Sequence, residues 1–146
     1  MLNGVAKLTL DDKGRIAFPS RYRENLMEEC AGNMVMTVDH EDRLIIYPHY
    51  EWEKVEITLQ KLSSFKKAEA RIKRLYLGHA HDCKMDKNGR ITIPPYLREK
   101  TKLEKKVVLL GVGNKFELWD DSSWEQEWES DDSDIEITEE LESLSL

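Results

Sequence analysis

Residues 11–24 read DDKGRIAFPSRYRE and residues 86–99 read DKNGRITIPPYLRE. At an offset of 75 residues, Asp11, Gly14, Arg15, Ile16, Pro19, Arg23 and Glu24 recur as Asp86, Gly89, Arg90, Ile91, Pro94, Arg98 and Glu99. Seven identities in these fourteen positions mark an internal repeat, and a repeat sets the architecture before any single motif does. The similarity continues downstream at a shorter offset: Arg43-Leu44-Ile45-Ile46-Tyr47 followed by Trp52 parallels Lys115-Phe116-Glu117-Leu118-Trp119 followed by Trp124.

Each copy predicts the same succession of elements. An alternating segment (Lys7-Leu8-Thr9-Leu10, or Cys83-Lys84-Met85) enters a tight turn in which Gly14 or Gly89 supplies a left-handed position. The chain returns as a strand, Arg15-Ile16-Ala17-Phe18 or Arg90-Ile91-Thr92-Ile93. Pro19 and Pro94 then stop strand pairing and open a short helix, because a proline at the first helical position gives up no useful donor. Strands rich in β-branched residues and methionine follow at 34–38 and 44–47, matched by 107–110 and 116–119, so the unit is ββαββ. Between the copies, Trp52, Val55, Leu59 and Leu62, then Ala68, Ile72 and Leu75, recur at helical spacing and predict two connecting helices joined near Ser63-Ser64. The expected organisation is a first unit over 1–51, connecting helices over 52–78, a second unit over 79–128 and an acidic, flexible tail over 129–146. A short docked strand or helix built on Ile135, Ile137, Leu141 and Leu144 is the alternative for that tail.

At 146 residues the chain holds one compact domain or two interlocked halves. The net charge of −7 is unevenly spread: all 22 Lys and Arg lie within residues 1–115 against 16 acids there, an excess of six, while residues 129–146 carry eight acids and no base. The reading is a mildly basic body with an acidic tail. No apolar run approaches the roughly 20 residues of a membrane helix, and Met1-Leu2-Asn3-Gly4 lacks the parts of a secretory signal. The expected location is the cytosol, with no membrane partner. Cys30 and Cys83 stand far apart without partner ligands and read as ordinary buried thiols.

The chemistry sits in Asp-x-x-Gly-Arg at the turn. An Asp opening a turn accepts bonds from backbone N–H groups further on, which is a structural task. The Arg four residues later carries a planar fork of donors that fits phosphate or the O6/N7 edge of guanine. Asp11 and Asp86 hold Arg15 and Arg90 still, and Lys13 and Lys87 beside them add phosphate attraction. An exposed Asp–Arg pair is often a surface ion pair of little worth. Its recurrence at matching places in both copies favours the binding role.

The double Asp-x-x-x-Arg pattern, the Gly-Arg-Ile-x-x-Pro after it and the run VVLLGVGNKFELW at 107–119 resemble the MraZ family of bacterial regulators over residues 1 to about 128. That resemblance implies an α+β fold of two tandem swapped-hairpin AbrB-like (SpoVT-AbrB) units, with a pseudo-two-fold, β-barrel-like core. It implies ring-shaped homo-oligomers that bind short direct repeats of double-stranded DNA in the promoter of the division and cell-wall gene cluster, in the cytoplasm at the nucleoid. The family's DNA-binding motif falls on Asp11 with Arg15 and on Asp86 with Arg90. The tail from 129 lies outside this match.

Other signals weigh less. Lys66, Lys67, Arg71, Lys73 and Arg74 form a basic helix face that serves either as a solvated surface or, with Lys7, as a secondary DNA contact. His79 and His81 flank Ala80 near Cys83, but no second ligand pair accompanies them, and no metal or cofactor is expected. The four tryptophans (Trp52, Trp119, Trp124 and Trp128) read as core or interface packing. No nucleophile triad, P-loop or dinucleotide fingerprint occurs. Gly111-Val112-Gly113 follows a strand without opening a helix, so neither an enzyme nor a small-molecule substrate is expected. Two rival functions remain: an AbrB-type antitoxin, which predicts a single unit and a partner-binding tail, and a structural protein-binding oligomer, which predicts no salt-dependent DNA affinity.

Overall fold

The computed structural model describes residues 1–129 and 137–146. The first copy of the repeat supplies β1 (Leu2–Thr9), β2 (Arg15–Ala17), α1 (Ser20–Cys30), β3 (Asn33–Val38) and β4 (Leu44–Pro48). Two helices follow, α2 (His49–Gln60) and α3 (Lys67–Gly78). The second copy supplies β5 (His81–Lys84), β6 (Arg90–Thr92), α4 (Pro95–Lys100), β7 (Lys106–Gly113) and β8 (Phe116–Asp120), and is followed by α5 (Asp121–Glu129). Pro19 and Pro94 occupy the same extended conformation immediately before α1 and α4. Proline ends strand pairing there and hands the chain to the helix.

The two copies exchange strands. β1 forms no ladder with β2; it pairs antiparallel with β7 of the other copy, and β5 pairs with β3. The β2 and β6 strands pair with each other, and β4 pairs with β8. The result is a six-stranded antiparallel sheet in the order β1-β7-β8-β4-β3-β5 and a separate two-stranded ribbon, β2-β6. Reversing the sheet order interchanges the copies, so a pseudo-two-fold passes between β4 and β8 at Ile45↔Glu117 and through the ribbon at Ile16↔Ile91. This exchange is the α+β swapped-hairpin arrangement.

One sheet face packs Met34, Met36, Leu44, Ile46, Leu109, Phe116 and Leu118 against Ile16, Phe18, Ile91 and Ile93 of the ribbon segments, and against Tyr22, Leu26 and Leu97 of α1 and α4. Phe116 is the meeting point, with Phe18 and Tyr22 set edge-on to its ring at 5.2 and 5.0 Å. The other face carries Val35, Ile45 and Tyr47 under Trp52 and Leu59 of α2 and Ile72 and Tyr76 of α3. Trp124 of α5 stacks edge-on to Trp119 as Trp52 tilts against Tyr47, so α5 is the second copy's counterpart of α2. In the tail, residues 130–136 lie outside the described residues, and with them most of the segment expected to be flexible. Beyond them Glu139–Ser143 forms an exposed helical turn capped by Thr138, the alternative reading of the tail, although nothing buries it.

Candidate nucleic-acid interface

The tip at 11–15 is built on one carboxylate. Asp11 Oδ1 accepts from the N–H groups of Lys13 and Arg15, both at 2.9 Å, and Oδ2 accepts from Arg15 Nε at 2.8 Å. The turn is closed by Gly14 N–H to the Asp11 carbonyl and by Asp11 N–H to the Arg15 carbonyl. The tip at 86–90 repeats this bond for bond: Asp86 Oδ1 accepts from Asn88 and Arg90 N–H at 2.8 and 2.9 Å, and Oδ2 from Arg90 Nε at 3.2 Å. Backbone donation from Arg15 and Arg90 is the main cause that holds each carboxyl below its ordinary value, and the guanidinium adds to it.

Strand geometry brings the two arginines to one surface. Side chains alternate across the ribbon, so Ile16 and Ile91 point into the core at 1% exposure while Arg15, Ala17, Arg90 and Thr92 share the outer face. Arg15 stands opposite Thr92 and Ala17 opposite Arg90, a diagonal arrangement with Cβ atoms roughly 7–8 Å apart. The Arg15 and Arg90 side chains are 24% and 31% exposed. Each spends Nε on its own aspartate, and among the described residues the Nη groups make no hydrogen bond. A two-stranded β-ribbon has the width to enter a DNA major groove. Lys13 and Lys87 are exposed beside the ribbon.

The secondary candidates lie elsewhere. Lys7 is bound to α5, with Nζ at 2.8 Å from Glu125 and 3.3 Å from Asp121, and these acids raise its pKa. Lys66 pairs with Glu69, and Lys73 donates to the Leu62 carbonyl and the Ser64 hydroxyl. Lys67, Arg71 and Arg74 are exposed, but α3 covers the sheet face opposite the ribbon, so one surface does not hold both sets. His79 donates or accepts through Nδ1 at the Leu75 carbonyl, 2.7 Å away. Burial raises the Cys83 thiol to about 12, which keeps it protonated.

The structure adds two features that sequence reasoning passed over. The β3–β4 hairpin has a third tip of the same construction: Asp39 Oδ1 accepts from Glu41 and Arg43 N–H, both at 2.9 Å. The spacing Asp39-x-x-x-Arg43 was its signal, without the glycine. There the guanidinium does not meet its aspartate; it lies 3.2 Å above the centroid of the Trp119 ring. The second feature is the pair Arg23 and Arg98, visible beforehand only as identities of the repeat. They stand against the tips at Gly89 and Gly14.

Two tandem ββαββ copies that trade strands and carry aspartate-braced arginines at both tips define a protein of the AbrB-like swapped-hairpin class. The profile of the family described as MraZ protein, antitoxin-like, matches residues 1–75 and again 76–144. Along their whole length, and that of this chain, the transcriptional regulators MraZ of Halorhodospira halophila, Thioalkalivibrio sulfidiphilus and Escherichia coli strain K12/DH10B are 51%, 48% and 46% identical to it. The chain belongs to the MraZ family of transcriptional regulators, which is not an enzyme class. The match runs past residue 128 into the acidic tail, further than the motifs alone reached. Among the described residues no helix is long and apolar enough to cross a membrane.

Proposed function

We propose that this chain regulates transcription by binding duplex DNA through the β2–β6 ribbon, with Arg15 and Arg90 reading base edges in the major groove and Lys13 and Lys87 attracting phosphates. One observation carries the reading: two guanidinium groups, 75 residues apart in sequence, share the outer face of a two-stranded ribbon, each immobilised through Nε with its Nη donors unused. Orienting the fork beforehand lowers the entropy lost on binding. The family membership supports the finer parts of the proposal: a ring-shaped homo-oligomer acting at the nucleoid on short direct repeats upstream of division and cell-wall genes. A single ribbon offers few phosphate contacts, and such contacts weaken by orders of magnitude as salt rises. A ring of ribbons on repeated sites multiplies effective concentration and restores affinity.

The test is a mobility-shift titration with DNA from upstream of the chain's own gene, combined with mass measurement of the free assembly. The parent protein retards this DNA as a multimer, and affinity rises with the number of repeats at correct spacing. Retention of parental binding by both Arg15→Ala and Arg90→Ala excludes the ribbon as the reading surface.

A further inference from the structure

The left-handed position of a tip does not by itself require glycine. In the third tip Asp42 holds it at φ 58°, close to the 76° of Gly14 and the 75° of Gly89. Asp is one of the residues that tolerates this region. What separates the ribbon tips is a neighbour. A Cβ on Gly14 would stand 2.7 Å from Arg98 Cζ, 2.9 Å from Nε and 3.0 Å from Nη1, so the guanidinium lies flat on the glycine. A Cβ on Gly89 would likewise collide with Arg23, at 2.9 Å from its Cζ. Arg98 borders the same cavity as Asp11 and Asp12, and Arg23 the same cavity as Asp86 and Lys87.

The contacts cross between copies. Arg98 comes from α4 of the second unit and meets the tip of the first, whereas Arg23 of α1 meets the tip of the second. Backbone bonds cross in the same sense: Ile93 N–H donates to the Gly14 carbonyl and Phe18 N–H to the Gly89 carbonyl, both at 2.8 Å. Arg23 is fixed by Nε donation to the Phe18 carbonyl at 2.6 Å. Arg98 Nε is buried without a hydrogen-bond partner, so Arg98 is held by packing against the tip. Burying an unpartnered guanidinium N–H is costly, and both copies accept a bare glycine to admit the group.

We infer that Arg98 and Arg23 are positioning residues for DNA reading, each clamping the tip of the other repeat so that Arg15 and Arg90 are presented in one fixed spacing. This rests on the ribbon being the DNA-reading surface and goes beyond it by making each reading arginine depend on the opposite half of the chain. A planar group fits flat on a glycine and a lysine ammonium does not, although both carry the same charge.

The experiment compares Arg98→Lys, Arg98→Ala and Gly14→Ala with the parent. Affinity for a promoter-repeat duplex and for a scrambled duplex of equal length is measured at two salt concentrations, alongside thermal midpoint and assembly mass. All three variants are expected to lower the specific-to-scrambled ratio roughly tenfold, the lower range for losing one base-reading arginine, with the salt slope unchanged. Gly14→Ala serves where an Arg98 variant fails to fold, because it displaces the guanidinium while keeping its chemistry. A parental ratio in Arg98→Lys overturns the inference, since charge alone then suffices. Equal weakening on both duplexes with a salt slope reduced by about one also overturns it, because Arg98 is then a phosphate contact. An Arg15→Ala control that binds like the parent instead refutes the reading surface, and the inference with it.

Discussion

The tips at 11–15 and 86–90 and the hairpin at 39–43 share the same carboxylate-centred turn, yet their arginines do opposite things. In the ribbon tips the aspartate holds Arg15 or Arg90 by Nε and leaves the outer edge of the fork unused. In the third tip Arg43 turns onto Trp119, Nε is buried and unpartnered, and the side chain is only 18% exposed. The turn is thus a structural device that the molecule uses three times. What makes two of the copies candidates for recognition is where the guanidinium goes afterwards, and that is settled by the neighbours. A tryptophan captures Arg43. Arg15 and Arg90 face nothing but their own aspartates and, by the proposed function, DNA.

The sharpest way to break the contrast is to remove each arginine. Arg15→Ala and Arg90→Ala are expected to lose specific DNA binding, each by roughly 10- to 100-fold, whereas Arg43→Ala stays within about twofold of the parent because it makes no base contact. Arg43→Ala should register in a thermal melt instead, since a cation over a tryptophan contributes about 0.5–2 kcal/mol. Comparable DNA loss in all three variants would mean the third tip belongs to the interface.

A smaller effect separates the left-handed positions. Gly14→Ala brings a methyl group into Arg98 and is expected to weaken specific binding, whereas Asp42→Gly relaxes an unclamped turn and changes DNA affinity by less than about twofold. Parallel shift titrations of the two variants check this.

The smallest effect concerns pH. Asp11 and Asp86 titrate below their ordinary value in the folded chain, so the tip bonds they accept are intact above the ordinary carboxylate range and are lost only as pH falls through the lowered value. Binding measured across the neutral range should therefore show no inflection from these groups. Carboxyl chemical shifts followed through an acid titration should place both midpoints below 3.8, the unperturbed value.

The unit itself was legible because it occurs twice: Gly14, Pro19 and their copies punctuate the chain where the turn and the helix start, and alternating or 3.6-periodic apolar residues do the rest. The choice of strand partner was not written locally. Nothing in Leu2–Thr9 says that it pairs with Lys106–Gly113 rather than with Arg15–Ala17, and the exchange came from family resemblance. Helix α5 was hidden because Asp121, Glu125 and Glu127 outweigh Trp124 and Trp128 in composition, although those tryptophans sit one helical turn apart and stack at 5.2 Å. In the site, Asp11, Arg15, Asp86 and Arg90 stood out by repetition. Arg23 and Arg98 repeat equally well, but their contacts lie across the pseudo-two-fold, about 75 residues away in sequence. The Asp39 tip escaped notice because its left-handed residue is Asp42, so the glycine that flagged the others was missing.

Arginine side-chain NMR offers the most direct view of the guanidinium groups themselves. With Nε–Hε resonances assigned, adding a duplex that carries the upstream repeats should shift Arg15 and Arg90 at the stoichiometry of the complex and leave Arg43, packed on Trp119, in place. Unmoved Arg15 and Arg90 signals in a sample fully bound to DNA would show that the ribbon face is not where this protein meets its target.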